Sequence, residues 1–166
     1  MPALHREWLL ATAEDTASCA AAFARAWLAM PAESRGASGR ATRLALQGEL
    51  GAGKTTWVRG FVAAMGITDP VPSPSYALVQ NFVVREQQIL HADFYRLIDP
   101  ADFDALALDD ADRPGTLWLI EWPERAAGRC GVFDLYLEFA ILHNAHQLRA
   151  TAATDTGELW LSQGLD

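Results

Sequence analysis

The sequence predicts an α/β protein: a single domain over residues 1–166 whose mixed parallel and antiparallel sheet is flanked by helices. Three observations carry this expectation. Helical patterns alternate with short apolar runs in the first 65 residues, and strand-like runs dominate the last third. A glycine-rich stretch at 48–53 joins an apolar run directly to a helical one. With 166 residues and 51% hydrophobic composition, one core can form without disulfide or metal staples.

The elements follow in order. Thr12 with Asp15 three residues on reads as a helix start, and Phe23, Trp27 and Met30 then fall at helical spacing among alanines. Pro31 ends that helix and opens a Pro/Gly/Ser-rich loop. Residues 42–47 read as a short buried strand. From Lys54 a helix is expected to Met65, with Trp57, Phe61 and Met65 on one face and Gly66 as its C-cap. Three prolines within 67–75 exclude regular structure there. Residues 76–84 and 88–95 read as an antiparallel hairpin. Asp99-Pro100 opens a further helix, with proline at its first position. Residues 116–122 form another apolar strand, closed by Pro123. Strands are expected at 132–142, 147–153 and 158–162, the last two joined around Asp155-Thr156-Gly157.

Composition excludes several functions. Thirteen basic residues against 21 acidic ones give a net charge of −8, so no cationic face is expected to grip nucleic acid or an anionic membrane. Cys19 and Cys130 have no metal-ligand spacing and read as buried thiols of a reducing compartment. No apolar run reaches the roughly 18 residues of a spanning helix. His5, Arg6 and Glu7 interrupt the place of a secretory core, so a soluble cytoplasmic domain is expected. The six aspartates of 99–112 read as a solvated acidic face. Asp112-Arg113-Pro114-Gly115 mimics a GTPase D-x-x-G but lacks the apolar strand that should precede it.

Arginine supplies nearly all the positive charge, and the single lysine is Lys54. It stands in Gly48-Glu49-Leu50-Gly51-Ala52-Gly53-Lys54-Thr55, which fits G-x-x-x-x-G-K-[ST] at every fixed position and in the required strand–loop–helix context. This pattern implies a P-loop NTPase-like domain. Glycines let the backbone of Glu49, Leu50, Gly51, Ala52 and Gly53 curl N–H groups toward phosphate oxygens, and the helix through Lys54, Thr55 and Thr56 adds its positive end. Lys54 is expected on the β- and γ-phosphates and the Thr55 hydroxyl on Mg²⁺. An N-K-x-D guanine motif is impossible with one lysine, which favours ATP over GTP.

Hydrolysis needs a carboxylate at a neighbouring strand end, and Leu117 to Ile120 followed by Glu121 supplies one. Asp93 is a second candidate, since alternation puts His91, Asp93 and Tyr95 on one face of their strand. His91 alone reads as a satisfied structural histidine. Lys54, Asp93 and Glu121 are the candidate catalytic residues.

GELGAGKTT at 48–56, PSPSYALV at 72–79, HADFYR at 91–96 and IEWPER at 120–125 together resemble the bacterial tRNA threonylcarbamoyladenosine biosynthesis ATPases, the TsaE (YjeE) family. The likeness runs from the helix start at 12–16 to Arg149 and the final hairpin. It implies a weak ATPase that works with a complex of TsaB and TsaD, which threonylcarbamoylates adenosine 37 of tRNAs reading codons that start with A, and resets it between turnovers. By the family pattern, Thr55, Asp93 and Glu121 gather around Mg²⁺, Lys54 holds the phosphates and Trp122 lies beside the site. The loop 72–76 is then a nucleotide-sensing switch facing the partner, with Ser75 where the family usually has threonine. The tRNA is met only through the partners, and no membrane is involved. Two other readings are a small-molecule kinase and a nucleotide-gated binding module with incidental hydrolysis. The kinase would need an acceptor-binding insertion, and beyond Arg96 and Arg125 little here resembles its arginine-bearing lid.

Overall fold

In the computed structural model, which describes residues 2–71 and 77–165, the apolar runs pair into one seven-stranded sheet. Its strands are β1 (His5–Leu10), β2 (Thr42–Gly48), β3 (Val79–Val84), β4 (Gln87–Asp93), β5 (Thr116–Glu121), β6 (Leu135–Ile141) and β7 (His146–Ala152), in the spatial order β1-β7-β6-β2-β5-β4-β3. The middle four, β6-β2-β5-β4, are mutually parallel; β3 on one side and β7 on the other run against them, and β1, antiparallel to β7, again runs with them. The mixed sheet is as expected. The central strands read as unbroken apolar runs because both sheet faces are covered. Alternate residues divide between two cores: Leu44 and Leu46 with Leu117 and Leu119 on one face, Ala45 with Trp118 and Ile120 on the other.

Three helices, α1 (Ala13–Ala29), α2 (Lys54–Met65) and α3 (Asp155–Ser162), cover the first face. α1 starts at the expected capping box, with the Asp15 N–H donating to the Thr12 hydroxyl at 3.0 Å and the Thr12 N–H to the Asp15 carboxylate at 2.9 Å. α2 closes at Gly66, whose φ of 111° is the left-handed turn expected of a glycine C-cap. The two helices touch backbone to backbone, since a Cβ on Gly60 would come within 2.8 Å of the Ala17 Cα. Phe23, Trp27, Trp57, Phe61 and Trp160 fill the layer beneath them, with ring centroids from 4.9 to 6.3 Å apart.

Four expectations change. A strand, β1, precedes the first helix and pairs antiparallel with β7, His5 opposite Thr151. Residues 158–162 are helix, not strand. The Thr154 hydroxyl accepts the Gly157 N–H at 3.3 Å, and the turn so nucleated puts Trp160 and Leu161 into the core. The helix expected from Pro100 is instead two short 3₁₀ turns, Pro100–Leu106 and Leu108–Ala111, broken where Ala107 takes a left-handed φ of 50°. Asp112 is not part of the solvated acidic face: it accepts the Ala41 N–H at 3.0 Å and pairs with Arg43 at 2.7 Å.

The hairpin is borne out with shifted bounds, β3 and β4 joined through Arg85 and Glu86 at φ 51° and 63°, a two-residue turn that matches strand twist. Cys19 and Cys130 are buried free thiols. Among the described residues no helix is long and apolar enough to cross a membrane. Residues 72–76, which include Ser75 and the expected switch loop, lie outside the described residues.

Candidate functional site

Because β2, β5 and β4 are parallel neighbours, their C-terminal ends emerge side by side, the place where α/β sheets hold ligands. β2 ends at Gly48, packed so tightly that a Cβ there would run into the Phe139 carbonyl of β6. The loop then turns through Gly53 at φ 105° into α2. The first helical bond, from the Trp57 N–H to the Gly53 carbonyl at 2.9 Å, leaves the amides of 54–56 at the open helix end, where an anion is favoured.

Lys54 is folded back into this loop. Its Nζ donates to the Gly48 and Glu49 carbonyls at 2.7 and 2.8 Å and lies 4.5 Å from the centroid of the Trp122 ring. Burial lowers its pKa below the ordinary lysine value, an effect opposed by the charges of Glu121, Asp93 and Glu124.

Beside it, the Thr55 hydroxyl lies 3.0 Å from each oxygen of Glu121, and His91 Nε2 lies 2.9 Å from Glu121 Oε1. Glu121 and Asp93 are register partners on β5 and β4. Asp93 Oδ1 accepts the Tyr95 N–H at 3.0 Å, which ties the chain as it leaves β4. Trp122 breaks β5 with a left-handed φ of 56°, and this places its ring 5.0 Å from that of Tyr95, with the Arg125 guanidinium over both. Only the strand end makes this cluster possible, since a chain still in the sheet would turn Trp122 to the opposite face from Glu121.

A cavity of about 400 Å³ opens over these groups. Leu50, Gly51, Gly53, Lys54, Thr55 and Thr56 form its floor, and Asp93, Tyr95, Glu121 and Trp122 one wall. Of the residues expected at the site, Glu49 and Ala52 are not on its surface. Glu49 contributes its carbonyl to Lys54, and the Ala52 methyl is buried in the core beneath the loop. The opposite wall was not anticipated: it comes from Leu10 to Ala13 and Thr16 at the β1–α1 turn and from Asn144, Ala145 and His146 at the β6–β7 turn. Thr12 carried a signal only as a helix cap, and nothing local marks Asn144 or His146. Among the described residues, no three His, Cys, Asp or Glu side chains cluster as an all-protein metal cage.

Residues 10–151 match the family model described as "Threonylcarbamoyl adenosine biosynthesis protein TsaE". The chain is 33% identical over 119 residues to the tRNA threonylcarbamoyladenosine biosynthesis protein TsaE of Haemophilus influenzae, a match spanning 72% of this chain and 75% of that protein. With the Bacillus subtilis protein of the same name it shares 37% identity over 79 residues, about half of each chain. The crystal structure of Bacillus subtilis YdiB superposes with a TM-score of 0.68, covering 97% of this chain and 94% of that one at 21% identity, a likeness of fold.

Proposed function

This chain belongs to the TsaE family, and on that premise we propose that it is a Mg²⁺-dependent ATPase that serves a TsaB–TsaD complex in threonylcarbamoylation of tRNA adenosine 37. The observation that supports this best is the convergence of Lys54, Thr55 and Glu121 at the ends of parallel strands, beneath a cavity of a size suited to a nucleotide.

The donor set fits Mg²⁺. A threonine hydroxyl has one hydrogen and two lone pairs, and Thr55 directs its hydrogen at Glu121, which leaves lone pairs for a cation. Asp93 and Glu121 add carboxylate oxygens, and a site of one or two carboxylates completed by phosphates and water is the usual Mg²⁺ arrangement. Thr55, Asp93 and Glu121 would hold the ion, and its charge would offset that of the nucleotide phosphates.

The protein's own part is positioning. The loop amides and the first turn of α2 hold the phosphates. Lys54 leaves the Gly48 and Glu49 carbonyls to reach them, and its mobile point charge suits that exchange. The turns at 10–16 and 144–146 form the wall left for the nucleoside. Glu121 already accepts from two donors, so it is committed to orientation rather than to taking a proton from water. Slow hydrolysis by the isolated chain follows. The net charge of −8 suits a cytoplasmic helper that meets tRNA through its partners.

The test is ATP hydrolysis by the pure protein, alone and with the TsaB–TsaD complex added. A slow basal rate that changes on addition supports the partner-coupled reading. A rate indifferent to the partners removes it, and phosphate appearing on a small acceptor instead of in solution would favour a kinase.

A further inference from the structure

His91 is wholly buried on β4, and its ring touches Glu121 rather than the cavity. A carboxylate only accepts, so across the 2.9 Å contact it is Nε2 that donates to Glu121 Oε1. The other ring nitrogen, Nδ1, is buried with no partner among the described residues. A hydrogen on Nδ1 would be a buried donor without an acceptor, which is costly, so the ring hydrogen sits on Nε2 and Nδ1 keeps a bare lone pair. Leucine would pack between these strands without leaving any polar atom unpaired. What the imidazole adds is one directed hydrogen bond.

That bond reaches Glu121 from within the sheet, while the Thr55 hydroxyl reaches both carboxylate oxygens from the cavity side. Two donors on different sides stop rotation of the carboxylate. The orientation passes on: a fixed Glu121 holds the Thr55 hydrogen, and the Thr55 lone pairs stay turned toward the cavity.

We propose that His91 is the positioning residue of the cation site, acting through its Nε2–H on Glu121 and through Glu121 on Thr55. The proposal rests on the Mg²⁺–nucleotide reading above. It follows the general pattern in which a partner behind a ligand, itself touching no metal, sets the ligand's geometry.

The test uses the whole chain with ADP, and Mn²⁺ as a paramagnetic stand-in read by electron paramagnetic resonance. His91→Leu should weaken Mn²⁺ binding to the ADP-loaded protein about tenfold or more, with ADP affinity in EDTA changed less than about twofold. His91→Gln, which returns an amide N–H near the place of Nε2, should recover most of the loss. Nitrogen-15 spectra of the histidine-labelled wild type should show His91 with its hydrogen on Nε2. Mn²⁺ affinity unaltered by His91→Leu, or His91→Gln as weak as His91→Leu at equal thermal stability, overturns the proposal. Should His91→Leu fail to fold, the spectrum still decides, because a ring that carries no hydrogen on Nε2 excludes the bond on which everything depends. Wild-type protein that binds no ADP would instead remove the nucleotide reading, a different result from intact ADP binding with unaltered Mn²⁺ affinity.

Discussion

Asp93 and Glu121 are the last residues of β4 and β5 and stand opposite each other in the parallel register. Neighbouring strands lie about 4.8 Å apart, so one cation can meet both side chains. Asp93→Asn and Glu121→Gln are therefore each expected to raise the Mg²⁺ concentration needed for half-maximal hydrolysis by roughly tenfold or more. A Mg²⁺ titration of turnover checks this, and normal metal response in both variants would remove the acids from the site.

Lys54→Ala should abolish tight MgATP binding. Hydrogen bonds to a charged group are worth roughly 1.5–3 kcal/mol each, so losing one raises Kd by about 10- to 150-fold. Calorimetric titration measures it directly. Unchanged affinity would mean that the glycine loop does not cradle phosphate.

The Lys54 ammonium rests against the Trp122 ring, and the proposed nucleotide binding requires it to move away. Tryptophan emission should change on ADP addition and the change should disappear in Trp122→Phe, which leaves the other five of the six tryptophans in place. An identical signal in that variant would show that it arises from another tryptophan and not from the Lys54–Trp122 contact.

Burial pushes the Cys19 and Cys130 thiols from the ordinary 9.0 up to about 11. Between those values the unfolded chain has lost thiol protons that the folded chain keeps, so stability is intact below the lower value and falls as pH rises. Each thiol contributes a loss on the order of 2–3 kcal/mol. Lys54 works in the opposite sense: its pKa is lowered, so its contribution to stability rises toward the ordinary lysine value of 10.5. Urea unfolding from about pH 8 to about pH 11 should therefore show a shallower alkaline fall in Cys19→Ala and in Cys130→Ala than in the parent. Equal slopes in all three would rule the thiols out as its source.

Gly157→Ala should destabilise the fold by roughly 1–3 kcal/mol, since the added methyl meets packed structure. A Cβ at this position would run into the Asp134 carbonyl, and Asp134 is itself held by Arg40 at 2.9 Å, the Arg43 N–H at 2.9 Å and the Thr154 hydroxyl at 2.6 Å. A thermal melt measures the shift, and an unchanged midpoint would mean that α3 can lift away from Asp134 freely.

What could be read from the chain was whatever is local. The glycine loop, Lys54, Thr55 and the acid closing β5 lie within motifs of a few residues, and they come together because strand ends in a parallel sheet must. The first helix was legible for a similar reason, since Thr12 and Asp15 make its capping box by themselves. β1 was not, because HREWLL is an edge strand with only Leu10 buried outright, and its partner β7 lies at the far end of the chain. That pairing also carries the β1–α1 turn and the β6–β7 turn to the same side of the cavity, which is why half of the cavity wall had no sequence signature. In α3, Leu159, Trp160 and Leu161 between polar residues suit a strand as well as a helix. The Thr154 cap, whose hydroxyl also donates to Asp134 of another segment, settles it as helix.

The absence of a side chain at Gly60 reaches further than packing. α1 begins in the cavity wall at Thr12 and Thr16, and α2 begins in its floor at Lys54, so the contact at Ala17 and Gly60 sets the gauge of the slot between them. A methyl group added there would pry the two helices apart and widen the slot without altering one residue that lines the cavity. The width of that slot is thus set outside it, at a half-buried crossing of two helices, by the smallest residue available.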